Sequence, residues 1–389
     1  MNKTIIISGY PPGDSGVGRL VEYLIEMNND DFLIITVNID FENPYTNIFV
    51  KYFFKIIYKI FKVFHKIFIR VKLKFLKNEK IIIIHPQTIG FKTTIKLLKN
   101  NKIFYYVVDC SFFCVKSYNH LENENTSCLR CLNSGFDSIK ENRCNSFPVE
   151  NNRSSLNFLK KLKEHKNQIH FLLQNMNQKK LLKKYFGDVK CTVIGLKTSD
   201  MKTETERVET LSGEGFDFVF HADPHPAKGL IFLLNLSKYL KEYSILIPSC
   251  IKKINKILNT NYKKEDFSNI IFNQMRWDSG LKEKVKKAKI VLHPTLWATP
   301  IEGALIKSLI YNGVVATFDL SFSYPNEISD TVLIKLDNNS IKKSSIILKE
   351  TIKDKEKLMK YKKNSQKWLQ KFFKYNNMYE KLKRVTIYR

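Results

Sequence analysis

Residues 289–317 read KIVLHPTLWATPIEGALIKSLIYNGVVAT, and the rest of the chain is organised around them. Residues 290–293 form an apolar strand and 294–302 a proline-bearing loop. A helix follows over 303–311, Gly313 stops it, and 314–318 is a second strand. Strand, helix and returning strand make a βαβ unit, which belongs to a parallel sheet covered by helices. The loop enters the helix at Gly303, where backbone N–H groups and the helix dipole favour an anion. Lys307 lies one turn further in, so a phosphate-bearing ligand suits the stretch. A plain crossover, with a glycine for close packing, is the competing reading.

The same alternation runs through the chain. Residues 3–9 read as a strand, 11–18 (PPGDSGVG) as a Gly-rich loop that includes Gly16, and 19–27 as a helix. Further strands are read at 32–37, 80–85 and 103–109, the last two ending on His85 and Asp109. After residue 215 the pattern restarts. A strand over 216–222 leads into the loop DPHPAKG (223–229), with Lys228 and Gly229, which opens a helix. Residues 197–215 are polar without an apolar period and read as a linker. Two α/β units, each built on a parallel sheet, are therefore expected. Loops at the C-terminal strand ends, carrying Gly16, His85, Gln87 and Asp109, would line one crevice.

The length of 389 residues leaves room for two or three domains with ample cores. The 65 Lys and Arg against 37 Asp and Glu give a net charge of +28. That balance favours phosphate-rich partners: nucleotide-sugars, anionic membranes or nucleic acid. A composition rich in Lys, Asn, Ile and Phe supplies part of the charge without any function. The apolar run near the start is too short for a signal peptide, and no run reaches the roughly 18 residues a membrane span needs. These features point to a cytosolic setting.

Residues 51–77 carry the most unusual local pattern. Lys51, Lys55, Lys59, Lys62, Lys66, Arg70, Lys74 and Lys77 recur at helical spacing, and nearly everything between them is aromatic or aliphatic. A basic amphipathic helix of this kind reads as lying in a membrane interface. The alternative is a core helix with a solvated lysine edge.

Five of the seven cysteines fall between Cys110 and Cys144. Cys114, Cys128, Cys131 and Cys144 have the spacing of a structural zinc site, with a C-x-x-C knuckle and two outlying thiols. Cys110 is an alternative ligand, and buried free thiols are the alternative to a metal.

The opening stretch resembles the donor segment of retaining GT-B glycosyltransferases of family 4. Pro294-Thr295-Leu296-Trp297, Gly303, Ala304-Leu305-Ile306 and Gly313-Val314-Val315 carry the likeness. Lys228-Gly229 matches the end of the family's G-R-x-x-x-x-K-G motif, with Asp223 at its arginine position. Ser308 stands where the family has a ribose-binding Glu, and Glu302 lies one residue before the Gly. Val108-Asp109 stands where a His-Asp pair is usual.

The resemblance implies two facing Rossmann-like domains with a Cys-rich insertion in the first. The first would span 1–197, with the basic helix over 51–77 and the insertion over 110–147. The linker would follow at 198–215 and the nucleotide-sugar domain at 216–371, with a final helix over 372–389 crossing back. It also implies transfer from a nucleotide-sugar to a surface-glycan or lipid-linked acceptor, peripheral on the inner face of the cell membrane, with no catalytic cofactor. The catalytic candidates are His85, Asp109 and Glu302. The donor candidates are Gly16, Lys228, Gly229, Gly303, Ala304, Lys307 and Ser308. Two other classes compete: an inactive sugar- or nucleotide-binding GT-B protein, motivated by Asp223 and Ser308, and a nucleic-acid-binding protein, motivated by the charge. The second is disfavoured because the densest basic stripe is interleaved with lipid-like residues, so no nucleic-acid partner is expected.

Overall fold

In the computed structural model, residues 3–39, 48–122, 124, 126–133, 136–147, 151–201, 215–298 and 300–387 are described. The chain divides into two compact units. The first comprises Met1–Ser117, Arg130–Asp200 and Asn376–Arg389; the second comprises Tyr118–Leu129 and Met201–Tyr375. Most of the expected linker, residues 202–214, lies outside the described residues.

The first unit is built from β1 (Thr4–Ser8), β2 (Phe32–Thr36), β3 (Lys80–Ile84) and β4 (Lys102–Tyr106). After a small separate hairpin, β5 (His120–Leu121) with β6 (Thr126–Ser127), come β7 (Ile169–Leu173) and β8 (Cys191–Val193). The sheet order is β2-β1-β3-β4-β7-β8, every pairing parallel. Isoleucine-rich strands such as TIIIS and KIIII are buried on both faces, as parallel strands under helices must be. The helix α1 (Gly16–Glu26) begins earlier than the spacing suggested. The Ser15 side chain accepts from the Gly18 N–H at 2.9 Å, so Gly16 and Gly18 fall in its first turn rather than in the loop.

The helix α2 (Ile48–Leu73) covers the basic amphipathic stretch up to residue 73, with Lys74 and Lys77 beyond its end, and it is not a core helix. Ile56, Ile60, Phe61, Phe64, Ile67 and Phe68 are each 53–66% exposed. Tyr58 Oη donates to the Ile39 carbonyl at 2.9 Å, Leu73 is buried, and Arg70 reaches the turn after β3. Arg70 therefore faces the protein and leaves the membrane stripe that its spacing assigned it to. The side chains of Lys51 and Lys55 lie outside the described ones. No helix among the described residues is long and apolar enough to cross a membrane.

The described residues of the 110–147 stretch are packed into the fold. Phe112 and Phe113 are buried against Tyr185, and short helices run over Arg130–Asn133 and Asp137–Glu141. Cys114, Cys131 and Cys144 belong to the first unit and Cys128 to the second. Cys131 Sγ sits 3.3 Å from Ser138 Oγ, and Cys144 Sγ faces the Asn142 carbonyl. Among the described residues no group of three or more His, Cys, Asp or Glu side chains is placed to hold a metal. The zinc expectation finds no support among the described residues.

The second unit contains β9 (Phe218–Phe220), β10 (Ile245–Ile247), β11 (Ile270–Phe272), β12 (Ile290–Leu292), β13 (Val315–Phe318) and β14 (Leu333–Leu336). They lie in the order β11-β10-β9-β12-β13-β14, all parallel. Phe220, Phe232, Leu292 and Phe318 are among the residues of its core. In each sheet the strand order reverses beside the first strand, between β1 and β3 and between β9 and β12. Ligands of open α/β sheets bind at the carboxyl ends of strands at such reversal points.

Candidate functional site

At the β9/β12 reversal of the second unit, two loops are pressed together. His225 accepts the Ala227 N–H on its ring, a short turn runs over Pro226–Lys228, and Gly229 takes φ +82°. A Cβ on Gly229 would overlap the Pro294 carbonyl oxygen, so only glycine lets the turn lie on the loop after β12. This turn aims Lys228 at Glu302, the residue before the helix Gly303–Tyr311.

Glu302 is encircled by donors. Lys228 Nζ lies 2.5 Å from Oε1, Trp297 Nε1 donates to the same oxygen at 2.8 Å, and His293 Nε2 stands 2.7 Å from Oε2. Burial alone would raise the carboxyl's pKa, but Lys228 and His293 outweigh it and hold Glu302 far below the usual carboxylate range. Such a group does not exchange protons near neutrality. In this structure Glu302 is paired with Lys228. The Lys228 ammonium also lies over Trp297 (4.8 Å) and Tyr118 (5.6 Å), a desolvated cation–π setting.

The neighbouring residues are less available than the spacing suggested. Lys307 is buried with Nζ 4.3 Å over the Trp277 ring, rather than lying at the mouth of the loop. Ser308 is fully buried. Its hydroxyl donates to the Ala304 carbonyl at 2.8 Å and pairs with His221 Nδ1 at 2.7 Å. Asp223 is exposed, 4.0 Å from Lys253. Gly303 and Ala304 are half-buried, in the first helical turn, whose N–H groups have no partner within the helix.

At the β1/β3 reversal of the first unit, the structure brings His85 and Asp109 together. His85 follows β3 in a left-handed conformation, φ 59°, uncommon for a non-glycine residue. Its Nδ1 is 2.8 Å from Thr88 Oγ1 and its Nε2 is 3.6 Å from Asp109 Oδ2. Burial lowers the imidazole's pKa, partly offset by Asp109. Gln87 Nε2 donates to Asp109 Oδ2 (2.7 Å) and to Ser117 Oγ (2.8 Å), and the Ser111 N–H donates to Asp109 Oδ1. Gln87 Oε1 is buried without a hydrogen-bond partner. Gly16 opens α1 in the same unit, and a Cβ there would meet open space.

No family model matches the chain, and no curated protein matches it in sequence. Solved structures do. Sucrose-phosphate synthase from Thermosynechococcus elongatus aligns over 99% of this chain and 98% of its own at 12% identity, TM-score 0.61. Anabaena HepE in complex with UDP aligns over 99% of both chains at 10% identity, TM-score 0.61. WaaG, a glycosyltransferase of lipopolysaccharide biosynthesis, does so over 99% of both at 13%, TM-score 0.53. The chain has the GT-B fold. In GT-B terms, the two reversal points carry the two residue clusters described above. The spacing argument missed His221, His293 and Trp277. The available signal was a histidine directly after each of β9 and β12.

Proposed function

We propose that this chain is a glycosyltransferase. It takes a sugar from a nucleotide-sugar and places it on a surface-glycan or lipid-linked acceptor, peripheral on the cytoplasmic face of the cell membrane. The observation that carries this reading is Lys228, held at the reversal point of the second sheet by Glu302 within Trp297 and Tyr118. A fixed ammonium beside the helix N-terminus at Gly303 and Ala304 is suited to the charge that develops on a departing diphosphate. HepE, with the same fold, has been solved with UDP-glucose. In the first unit, His85 beside Asp109 suits a group that accepts a proton from an acceptor hydroxyl. The basic, outward-facing apolar helix α2 fits a lipid surface.

The test is calorimetric titration of UDP and other nucleoside diphosphates into the folded chain and into Lys228→Met. Affinity should fall about tenfold or more in the variant, one charge-assisted contact being worth roughly 1.5–3 kcal/mol. Equal affinity in both proteins, or no binding by the parent, overturns the reading. Ser308 supports one rival. With its hydroxyl engaged inside the unit, the protein would bind a nucleotide-sugar without transferring from it. Donor binding with no transfer to any acceptor would favour that rival.

A further inference from the structure

The turn Pro86–Ile89 carries a partner for each member of the His85–Asp109 pair. Thr88 Oγ1 lies 2.8 Å from the His85 ring and donates to the His85 carbonyl at 3.1 Å. Gln87 donates to Asp109. The turn itself is wedged. On one side a Cβ at Gly9, at the end of β1, would overlap the Thr88 side chain. On the other, Arg70 Nε donates to the Ile89 carbonyl at 2.7 Å and Nη2 to the Thr88 carbonyl at 3.4 Å. Arg70 lies so close that a Cβ on Gly90, at φ +105°, would overlap its guanidinium. Arg70 comes from α2, the helix whose apolar arc is turned to solvent.

We infer that Arg70 is a positioning residue for the His85–Asp109 pair, and that it makes the geometry of that pair depend on how α2 is seated on an anionic lipid surface. The inference rests on the reading of α2 as membrane-bound and of His85 and Asp109 as acceptor-side groups. A guanidinium spans two adjacent carbonyls with its Nε and Nη hydrogens in a fixed fork, whereas a lysine offers one compact ammonium. Seating α2 fixes the fork, the fork fixes the turn, and the turn sets the imidazole and the carboxylate. Misplacing catalytic groups by about an ångström costs on the order of a hundredfold in rate.

The full chain, Arg70→Met and Arg70→Lys are compared with and without vesicles of phosphatidylcholine and phosphatidylglycerol. Backbone amide exchange over residues 86–94 is one readout and sugar transfer is the other. In the parent, vesicles should slow exchange in this segment and raise kcat. Arg70→Met should still sediment with vesicles, exchange faster, ignore lipid, and lose kcat about 10- to 100-fold with the donor KM unchanged. Arg70→Lys, which keeps the charge, should fall between them and serves if the Met variant does not fold. Exchange in the parent that ignores vesicles to which it is bound, or parental exchange and kcat in a bound Arg70→Met, overturns the inference. A parent that shows the exchange response but no transfer refutes the transferase reading alone. A parent that never sediments with the vesicles overturns the membrane reading and this inference with it.

Discussion

Replacing Glu302 by alanine should destabilise the second unit by about 3–5 kcal/mol, the usual cost of stranding one partner of a buried ion pair. Glu302 is the common acceptor for Lys228, His293 and Trp297, so its loss leaves an ammonium and an imidazole facing a void. Urea denaturation at neutral pH measures the change. The acid limb provides a second signature. The folded carboxyl has a pKa below its ordinary value of 4.5, so the unfolded chain binds the proton more readily. The stability it contributes is fully present above about 4.5 and is lost as pH falls further. The Glu302→Ala protein lacks that component, so its curve should be flatter than the parent's in this range. A midpoint equal to the parent's at neutral pH would show that the cluster does not hold the site together.

Phe64→Glu combined with Phe68→Glu should abolish attachment to anionic vesicles. Each ring buried in the interface contributes about 2 kcal/mol, so the pair corresponds to roughly a thousandfold in partitioning. Both rings are exposed in the folded chain, so stability in solution should stay within about 0.5 kcal/mol of the parent. Reversing Lys59, Lys62 and Lys66 to Glu should act differently, removing the salt-sensitive part of the binding. Sedimentation across a salt series separates the two contributions. If the phenylalanine variant sediments like the parent, or the parent never sediments, α2 does not serve a membrane.

The parallel sheets were legible in the sequence because buried β-branched strands alternate with helices, and a short apolar run between turn signals admits little else. The helix of residues 303–311 and its flanking strands stand where the spacing put them. The strand Leu333–Leu336 was not legible: four residues with a lysine among them give no period to read. At the site, the resemblance placed Lys228 and Gly229 beside the loop after β12, and spacing left open the direction of Lys307 and Ser308. One helical position decides whether a side chain faces a ligand or the core, and Trp277, from a distant segment, covers Lys307. The cysteine spacing was that of a metal knuckle, yet among the described residues no group of three or more His, Cys, Asp or Glu side chains is placed to hold a metal. His85 and Asp109 lie 24 positions apart by their numbers, and only the pairing of β3 with β4 makes them neighbours.

Ser308 also limits which side chains its position can take. Its hydroxyl is engaged by Ala304 and by His221, and His221 in turn stacks on Trp277 at 4.9 Å. A glutamate there would force a longer, charged side chain into a fully buried position already filled by that imidazole. A carboxylate there would need a second change at His221 or Trp277, and either change alone would leave a cavity or an unmet donor. The identity of residue 308 is thus coupled to those of His221 and Trp277.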